Sequence, residues 1–443
     1  MQAQSRIPVM VCLSLFLSVF LFTARGYGGG DHFLSYMTAE SIVLNRSLYL
    51  MDRWSDVPEI RAKQEEQTRA VTGSDGHRYT IFGIALPLAM VPFYLAGHIV
   101  AGLLPSLPHD MVTMFCVSLT NAVITALTCV VFMRYAYRFS SAPRRAFVLA
   151  ILYGFGTMAW NYAQYSYAEP LLVLLFIAAL LMLDNYRCTD GISLGYAALT
   201  GLFVGLCLLT EVYSSVFIAL GIGVYMLWLT GARCRRDKRA LAALAAFAGA
   251  ALPVVVFLIY FSALRFGHSN ASPRLVGDFS IGFIPVALYG YIFSTGKSLF
   301  AYCPVLIVSF WGLRRFAIKH RAEAILFAGI TVFSVLFTAT WVNWWSGDLA
   351  WGPRFLFHLV PMLLLPVGEV LESGQWRRWP KASLIALGLV TVFVQLASIM
   401  VNQGHYNTVI VDNDLSDRFF TPYLSPIVGH WLLIISTIKH LLT

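Results

Sequence analysis

Long apolar runs recur from one end of the chain to the other, and they limit the folds that it can adopt. Runs long enough to cross a bilayer lie near 7–24, 110–133, 146–163, 168–184, 192–209, 212–230, 240–264, 297–313, 322–341, 355–371 and 381–401, with a shorter one at 426–438. Hydrophobic residues make up 58% of the sequence and charged residues only 12%, whereas soluble domains carry about 25% charged residues. Because a membrane helix needs about 20 apolar residues, the sequence predicts an all-α polytopic membrane protein with about 11 to 13 transmembrane helices.

The net charge of +9 fits the same class of protein. A basic excess in membrane proteins collects in cytoplasmic loops, so the charge does not point to nucleic acid. The seven cysteines are scattered without CxxC spacing, which indicates neither a disulfide framework nor a metal site. Residues 1–24 lack an A-x-A cleavage pattern, so we expect an uncleaved first span rather than a signal peptide.

The segment 81–104 decides the topology. If it crosses the membrane, the loop 134–145 with its four arginines lies outside. If it lies along the outer surface, all strongly basic loops lie inside, as the positive-inside rule expects; these are 134–145, 233–239, 314–321 and 377–381. Pro87 and Pro92 interrupt the segment, which suits a bent interfacial helix. We therefore predict an inner N-terminus, a long outer segment 25–108 bearing short surface helices, and an outer tail from about 402.

In this topology most of the ionisable residues that loops do not explain gather at the outer face. They are Asp31, His32, His77, Arg78, Glu169, Glu211, Lys297, Asp348 and Arg354. Charges near membrane depth are costly and tend to mark function. The sequence therefore predicts a polar cavity that opens outward beneath the segment 25–108.

Each of these residues also has a simpler interpretation. Asp31 suits the N-cap of a helix that begins near Phe33. His32 suits a polar loop. The basic residues Arg78, Lys297 and Arg354 suit contacts with lipid phosphates, and the tryptophans near 341–351 suit an interfacial belt. Glu169 and Glu211 are harder to explain in this way, because their apolar neighbours force burial.

Together the residues suggest group transfer from a lipid carrier. A carboxylate after the glycines 28–30 can serve as a general base for an acceptor hydroxyl. Basic side chains can bind a lipid-linked phosphate and match its growing charge. Aromatic and polar side chains can line a sugar or acceptor cavity, for which the candidates are His32, His77, Tyr79, Tyr162, Tyr165, Tyr167, Glu169, Glu211, Trp345 and Asp348.

Several segments, in order, resemble the GT-C type membrane glycosyltransferases that use polyprenyl-phosphate sugars, nearest to the protein O-mannosyltransferases and lipid A aminoarabinose transferases. The segments are GGGDHFLSYMTAESIVLNRSLYL, HRYTIFGIALPLAMVPFYLAG, TMAWNYAQYSYAEPLLVLLFIAAL, STGKSLFAYCPVLI and WWSGDLAWGPRFLFHLVPMLL. They cover most of the chain, and their order is more specific than any one of them. The resemblance implies a GT-C fold with a long first periplasmic loop and juxtamembrane helices, including an amphipathic surface helix behind Asp31.

The resemblance also implies roles for individual residues. Asp31 matches the catalytic acid that deprotonates the acceptor in a single inverting displacement. Donor-phosphate contacts fall on basic residues of the outer loops, here Arg78, Lys297 and Arg354. Metal is not required by this mechanism, and a divalent ion is not indicated.

Three positions depart from the family pattern. The lysine of the family segment Y-S-K-Y-G aligns with Ile81. Either Arg78 replaces this lysine in its contact with the donor phosphate, or this contact is absent. The partner of the acid is His32 rather than a second acid. Glu211 stands where relatives often have a basic residue. These departures leave the donor sugar and the phosphate contacts undecided.

The organisation implied is a catalytic transmembrane module, 1–264, followed by a variable C-terminal transmembrane module, 265–443. The partners expected are a polyprenyl-phosphate-linked sugar, an acceptor that is a glycan, lipid or protein, and membrane lipids. The location expected is the bacterial inner membrane, with the active site facing the periplasm.

Three other functions remain as alternatives. A flippase or other transporter of lipid-linked glycans predicts charges in the middle of spans and often repeat symmetry. An O-antigen ligase or polymerase places its key loop late in the chain. A non-catalytic scaffold leaves Glu169 and Glu211 unexplained.

Overall fold

The computed structural model describes residues 6–25, 31–51, 55–65, 70–140, 142–189, 193–234, 238–267, 279–347, 350–372, 378–411 and 419–442. These ranges are predominantly helical, with one short β-hairpin formed by β1 (Ala70–Thr72) and β2 (Arg78–Thr80). The glycines 28–30 and Asp348 lie outside the described residues.

The helices follow one another in chain order. They are α1 (Arg6–Phe22), α2 (Asp31–Asn45), α3 (Pro58–Glu65), α4 (Ala85–Leu103), α5 (His109–Ser118), α6 (Thr120–Ala136), α7 (Pro143–Gly156), α8 (Ala159–Tyr162), α9 (Glu169–Cys188), α10 (Leu194–Thr210), α11 (Val212–Cys234), α12 (Lys238–Phe266), α13 (Ile284–Phe293), α14 (Leu299–Tyr302), α15 (Ser309–Lys319), α16 (Arg321–Ala339), α17 (Val360–Leu364), α18 (Val367–Glu372), α19 (Arg378–Met400), α20 (Gln403–Tyr406) and α21 (Pro426–Leu442). Short 3-10 helices lie at Ile281–Phe283, Pro304–Val308, Arg354–Leu359 and Pro422–Leu424, and a π-helix at Asn407–Val411.

The apolar helices confirm the predicted polytopic all-α class. Within the described residues, 8 helical stretches are long and apolar enough to cross a membrane. They are Ala85–Leu103, His109–Ala136, Glu169–Cys188, Val212–Gly231, Lys238–Phe266, Arg321–Ala339, Arg354–Glu372 and Trp379–Met400. Shorter apolar helices lie at Val9–Phe22, Leu194–Thr210, Ile281–Phe293 and Pro426–Leu442. The protein is therefore a multi-pass membrane protein.

Within the segment 81–104, residues Ala85–Leu103 form one continuous helix, α4, so the expectation that its prolines break the segment is wrong. Pro87 lies in the first turn, where no backbone N–H has a partner within the helix. Pro92 lies inside the helix, where it removes one hydrogen bond without ending it. Since α4 is long and apolar enough to cross a membrane, its placement along the outer surface stays a prediction.

Native Cys188 offers a test of the topology, because its side chain is exposed at the end of α9. The predicted topology places it on the inner side. In a Cys234→Ser variant, we expect a membrane-impermeant maleimide to label Cys188 only after the membrane is permeabilised. Thr72→Cys, on the exposed part of the hairpin, is the control and should be labelled in intact cells. Labelling of Cys188 in intact cells would contradict the predicted alternation.

One compact unit comprises Leu17–Thr128 and Tyr162–Gly277. In it α4 packs against α2 and α5, and α10 packs against α9 and α12. The contact between α10 and α12 depends on Gly201, where a Cβ atom would overlap the carbonyl oxygen of Phe247. A glycine is therefore needed for the two backbones to approach this closely.

The other unit comprises Met1–Phe16, Cys129–Asn161 and Asp278–Thr443. Its α7 packs against α17, α18 and α19. Thr391 donates a hydrogen bond to the carbonyl oxygen of Gly156 at 3.0 Å, and Arg145 forms an ion pair with Glu372 at 3.5 Å. This unit joins α7 to helices that come late in the sequence, and the organisation into modules 1–264 and 265–443 stays a prediction.

Candidate active site

Helix α2 begins at Asp31, two residues before the predicted start near Phe33. The structure describes the backbone of Asp31 and His32 but not their side chains. An acidic residue in the first turn of a helix is favoured by the helix dipole. The position of the predicted base at the start of α2 thus follows from the backbone, while its catalytic role stays a prediction.

The body of α2 is buried, so its description as an amphipathic surface helix is wrong. Every residue from Phe33 to Ser41 is buried. Its polar side chains find partners inside the unit: the hydroxyls of Tyr36 and Thr113 share a hydrogen bond of 2.8 Å, and the Tyr94 hydroxyl donates to Glu40 at 3.1 Å. Burial raises the pKa of the Tyr36 phenol, and the carboxylate of Glu40 raises it further. These bonds fix α2, and with it Asp31, to α4 and α5.

The predicted cavity residues His77, Arg78 and Tyr79 lie on the β-hairpin. The Tyr79 hydroxyl donates to the Asp75 carboxylate at 2.6 Å, and this bond lowers the pKa of that carboxyl. The ring of His77 stacks on Tyr49 with centroids 3.9 Å apart. Arg78 is exposed. The hairpin thus presents His77 and Arg78 outward and holds Tyr79 inside.

The hairpin is fixed to the end of α12. The Ser74 amide donates to the carbonyl oxygen of Leu264 at 2.9 Å, and Tyr79 packs edge-on against Phe261 with centroids 5.8 Å apart. The chain after the hairpin is held at Gly83, where a Cβ atom would overlap the carbonyl oxygen of Thr210. The backbone from 70 to 84 therefore has a fixed position.

Arg265, at the end of α12, is a candidate that the sequence analysis missed. Its Nη1 donates to the carbonyl oxygens of Thr80 at 3.0 Å and Phe82 at 2.7 Å, which flank Ile81. The side chain is only 5% exposed, and its Cζ lies 4.2 Å from the Phe261 ring centroid. Within the described part of the chain, its buried Nε makes no hydrogen bond. The one sequence signal was an arginine that ends a long apolar run.

The tyrosines 162, 165 and 167 are buried, with Tyr162 at the end of α8 and the other two in the segment between α8 and α9. The ring centroids of Tyr162 and Tyr167 lie 5.6 Å apart, and those of Tyr165 and Tyr167 lie 5.9 Å apart. Asn121 holds this segment by donating to the carbonyl oxygens of Tyr165 at 2.6 Å and Tyr167 at 2.8 Å. Asn121 is therefore a further residue that the sequence analysis missed, and it positions the aromatic group.

The two glutamates of the predicted cavity lie at helix ends. Glu169 is the first residue of α9 and is 3% exposed. Glu211 is half-buried and has extended backbone angles at the break between α10 and α11. Both lie in the unit that contains α2 and the hairpin, and a carboxylate at these positions avoids the middle of a membrane helix.

Lys297 and Arg354 are distant in sequence, but both contact the loop of the other unit that contains Gly352. Lys297 is 1% exposed, and its Nζ donates to the carbonyl oxygens of Gly347 at 3.1 Å, Ala350 at 2.9 Å and Gly352 at 3.4 Å. The backbone amide of Arg354 donates to the same Gly352 carbonyl at 3.1 Å. The ammonium group therefore holds the loop, while a contact of either residue with phosphate stays a prediction.

Trp345 lies beside this loop and is half-buried. Its ring is perpendicular to that of Trp344, with centroids 6.1 Å apart, and lies 5.5 Å from the ring of Phe419. Arg354 is also half-buried, with its Cζ 5.3 Å from the ring centroid of Phe355. An aromatic ring thus lies next to the guanidinium group of Arg354.

Replacing Lys297 by Met should destabilise the protein by about 2–4 kcal/mol, because three carbonyl oxygens lose a charged donor in a buried place. The measurement is thermal unfolding of the purified protein in detergent. Lys381→Met is the matched control, since Lys381 is exposed on α19 of the same unit. Equal melting temperatures for the two variants would show that the loop does not depend on Lys297.

Comparison with known proteins identifies the fold. No protein-family model and no curated protein matches the sequence. Among solved structures, ArnT from Cupriavidus metallidurans bound to undecaprenyl phosphate is similar at a TM-score of 0.53 and 11% sequence identity, over 96% of this chain and 75% of that one. The apo state of the same ArnT gives a TM-score of 0.52 and 14% identity, over 97% of this chain and 76% of that one.

The oligosaccharyltransferase AglB from Archaeoglobus fulgidus, in complex with an inhibitory peptide and a dolichol-phosphate, is similar at a TM-score of 0.46 and 12% identity, over 90% of this chain and 59% of that one. This likeness is too distant to carry an argument. The likeness to ArnT is distant in sequence but extends along nearly the whole chain, and it confirms the expected GT-C fold.

Proposed function

We propose that this protein is an inverting glycosyltransferase that moves a monosaccharide from a polyprenyl-phosphate carrier to an acceptor hydroxyl at the periplasmic face of the bacterial inner membrane. The observation that carries the proposal is the likeness of its fold to ArnT, which binds undecaprenyl phosphate in one of the two structures compared. The acceptor is a glycan, lipid or protein of the cell envelope.

In this proposal Asp31 is the general base. The acceptor hydroxyl gives its proton to the carboxylate of Asp31 while its oxygen attacks the anomeric carbon of the donor sugar. The bond between that carbon and the phosphate oxygen breaks, and polyprenyl phosphate leaves with the bonding electrons. One displacement at the anomeric carbon inverts its configuration. Asp31 is the first residue of α2, whose body from Phe33 to Ser41 is buried.

The phosphate that leaves gains negative charge, so the site needs a fixed cation. Arg265 supports this role, because its side chain is buried and, within the described residues, its Nε makes no hydrogen bond. Its contacts with Thr80 and Phe82 place it beside Ile81, where the family pattern has a lysine. We therefore add Arg265 to Arg78, Lys297 and Arg354 as a donor-phosphate residue, and assign to Lys297 the additional task of holding its loop.

The remaining candidates are proposed to line the sugar and acceptor cavity. They are His32, His77, Tyr79, Tyr162, Tyr165, Tyr167, Glu169, Glu211, Trp345 and Asp348. Stacking of sugar rings on aromatic faces and hydrogen bonds to carboxylates are the contacts that such a set can offer.

The test is a transfer assay with the purified protein in lipid nanodiscs. A panel of polyprenyl-phosphate monosaccharides is supplied together with cell-envelope lipid and glycan fractions as acceptors. We expect release of polyprenyl phosphate in step with formation of a glycosylated product for at least one sugar. Movement of the intact lipid-linked sugar across a proteoliposome membrane, without its cleavage, would instead support the transporter alternative.

A further inference from the structure

A groove lies where α15 meets α16, and none of its lining residues belongs to the candidate active site. It has a volume of about 660 Å³ and is lined by Arg314, Ala317, Ile318, Arg321, Ala324, Ile325 and Ala328. We propose that this groove binds one anionic glycerophospholipid of the inner leaflet. The proposal rests on the predicted topology, which places 314–321 inside, and is independent of the proposed enzymatic activity.

The shape of the groove comes from small side chains. Ala317 lies on α15, and Ala324 and Ala328 lie on α16, so the space between the two helices is not filled. The walls are Ile318 and Ile325, which are 71% and 64% exposed. An apolar trough of this kind, on the outside of a membrane helix, suits an acyl chain better than water.

The position of the groove suits a lipid headgroup. Arg321 is the first residue of α16, a helix long and apolar enough to cross a membrane, so this end of α16 lies at a membrane surface. Helix α15 carries exposed Phe310 and Trp311 next to exposed Arg314. Apolar and basic side chains together on one short helix are typical of the interface between headgroups and acyl chains.

The charge of the groove selects the class of lipid. Its lining contains two arginines and no acidic residue, and both guanidinium groups are exposed. In the part of the chain that the structure describes, neither arginine forms an ion pair. A guanidinium binds phosphate oxygens through two parallel hydrogen bonds. Two arginines together favour a headgroup with net negative charge over a zwitterionic one.

The experiment is native mass spectrometry of the purified full-length protein with added phosphatidylglycerol or phosphatidylcholine of the same acyl chains. Each arginine near a membrane surface is worth about a fivefold change in affinity for anionic lipid. We therefore expect the double variant Arg314→Gln, Arg321→Gln to bind phosphatidylglycerol about 25-fold more weakly. Its binding of phosphatidylcholine should be unchanged.

A matched control separates the groove from general surface charge. The double variant Arg144→Gln, Arg315→Gln removes two exposed arginines of the same unit that do not line the groove, and it should bind phosphatidylglycerol as the unchanged protein does. Ala324→Leu keeps both charges but fills the trough, and it should lose binding. The proposal is overturned if the control pair weakens binding as much as the groove pair, if phosphatidylcholine binds equally well, or if Ala324→Leu binds normally.

Discussion

Replacing Asp31 by Asn should reduce the rate of sugar transfer by about 10²–10⁴-fold, which corresponds to about 3–5 kcal/mol in activation free energy. The amide has the size and shape of the carboxylate but cannot accept the proton of the acceptor hydroxyl. Because the donor is held by other groups, the loss should fall on kcat and leave the donor KM nearly unchanged. The measurement is the initial rate of polyprenyl phosphate release.

This substitution separates the two roles open to Asp31. The charge of Asp31 in the first turn of α2 is worth only about 0.3–1 kcal/mol, so Asp31→Asn should lower the melting temperature only slightly. Asp56→Asn is the matched control, because Asp56 is exposed in the same unit, and it should transfer sugar at the normal rate. Normal transfer by Asp31→Asn would mean that the carboxylate is not the base.

The sequence predicted correctly the helices whose apolar runs contain no break. The runs 168–184 and 212–230 correspond to α9 and α11, with ends that differ by a few residues. The run 297–313 does not form one helix. Ser298 caps the short helix α14, and Pro304 begins a 3-10 helix. An apolar composition predicts burial in lipid, but caps and prolines decide where the helix is continuous.

The β-hairpin could have been recognised from a local signal. Asp75 and Gly76 form a turn pair of the kind that joins two strands, and Gly76 has the positive φ that such turns need. Its strands have only three residues each, which is too short for an alternating pattern to be visible. The hairpin is held by contacts with Tyr49 and α12 rather than by its own strand propensity.

The contacts that define the candidate site are not local in sequence. Arg265 reaches the carbonyl oxygens of Thr80 and Phe82 across 185 and 183 residues, and Lys297 reaches Ala350 across 53. No periodicity or spacing encodes such pairs. The burial of α2 was not predictable for the same reason. Its polar residues predicted an exposed face, but they form hydrogen bonds with residues of α4 and α5 inside the unit.

Replacing Arg265 by Met should lower the rate of transfer by about 10²–10³-fold, because one fixed charge opposite a developing anion is worth that much in a closed site. The change also removes both hydrogen bonds to the segment around Ile81, so the donor KM should rise while kcat falls. The comparison is Arg78→Met, which removes an exposed arginine from the same segment and should cost less than tenfold, because an exposed cation is screened by water.

A second substitution decides whether Arg265 acts through its charge at this place. If it supplies the cation that the family pattern puts at position 81, then Ile81→Lys should restore part of the activity of Arg265→Met. Ile81 is half-buried and lies between Thr80 and Phe82, whose carbonyl groups Arg265 contacts. A lysine at position 81 therefore begins close to the place of the Arg265 guanidinium. If Arg265 has only a structural role, Ile81→Lys should not restore activity. A lysine at this half-buried position, without the two hydrogen bonds of Arg265, then adds a desolvation cost and lowers the melting temperature further. Activity that returns without a return of stability would therefore identify the charge, and not the fold, as what Arg265 contributes.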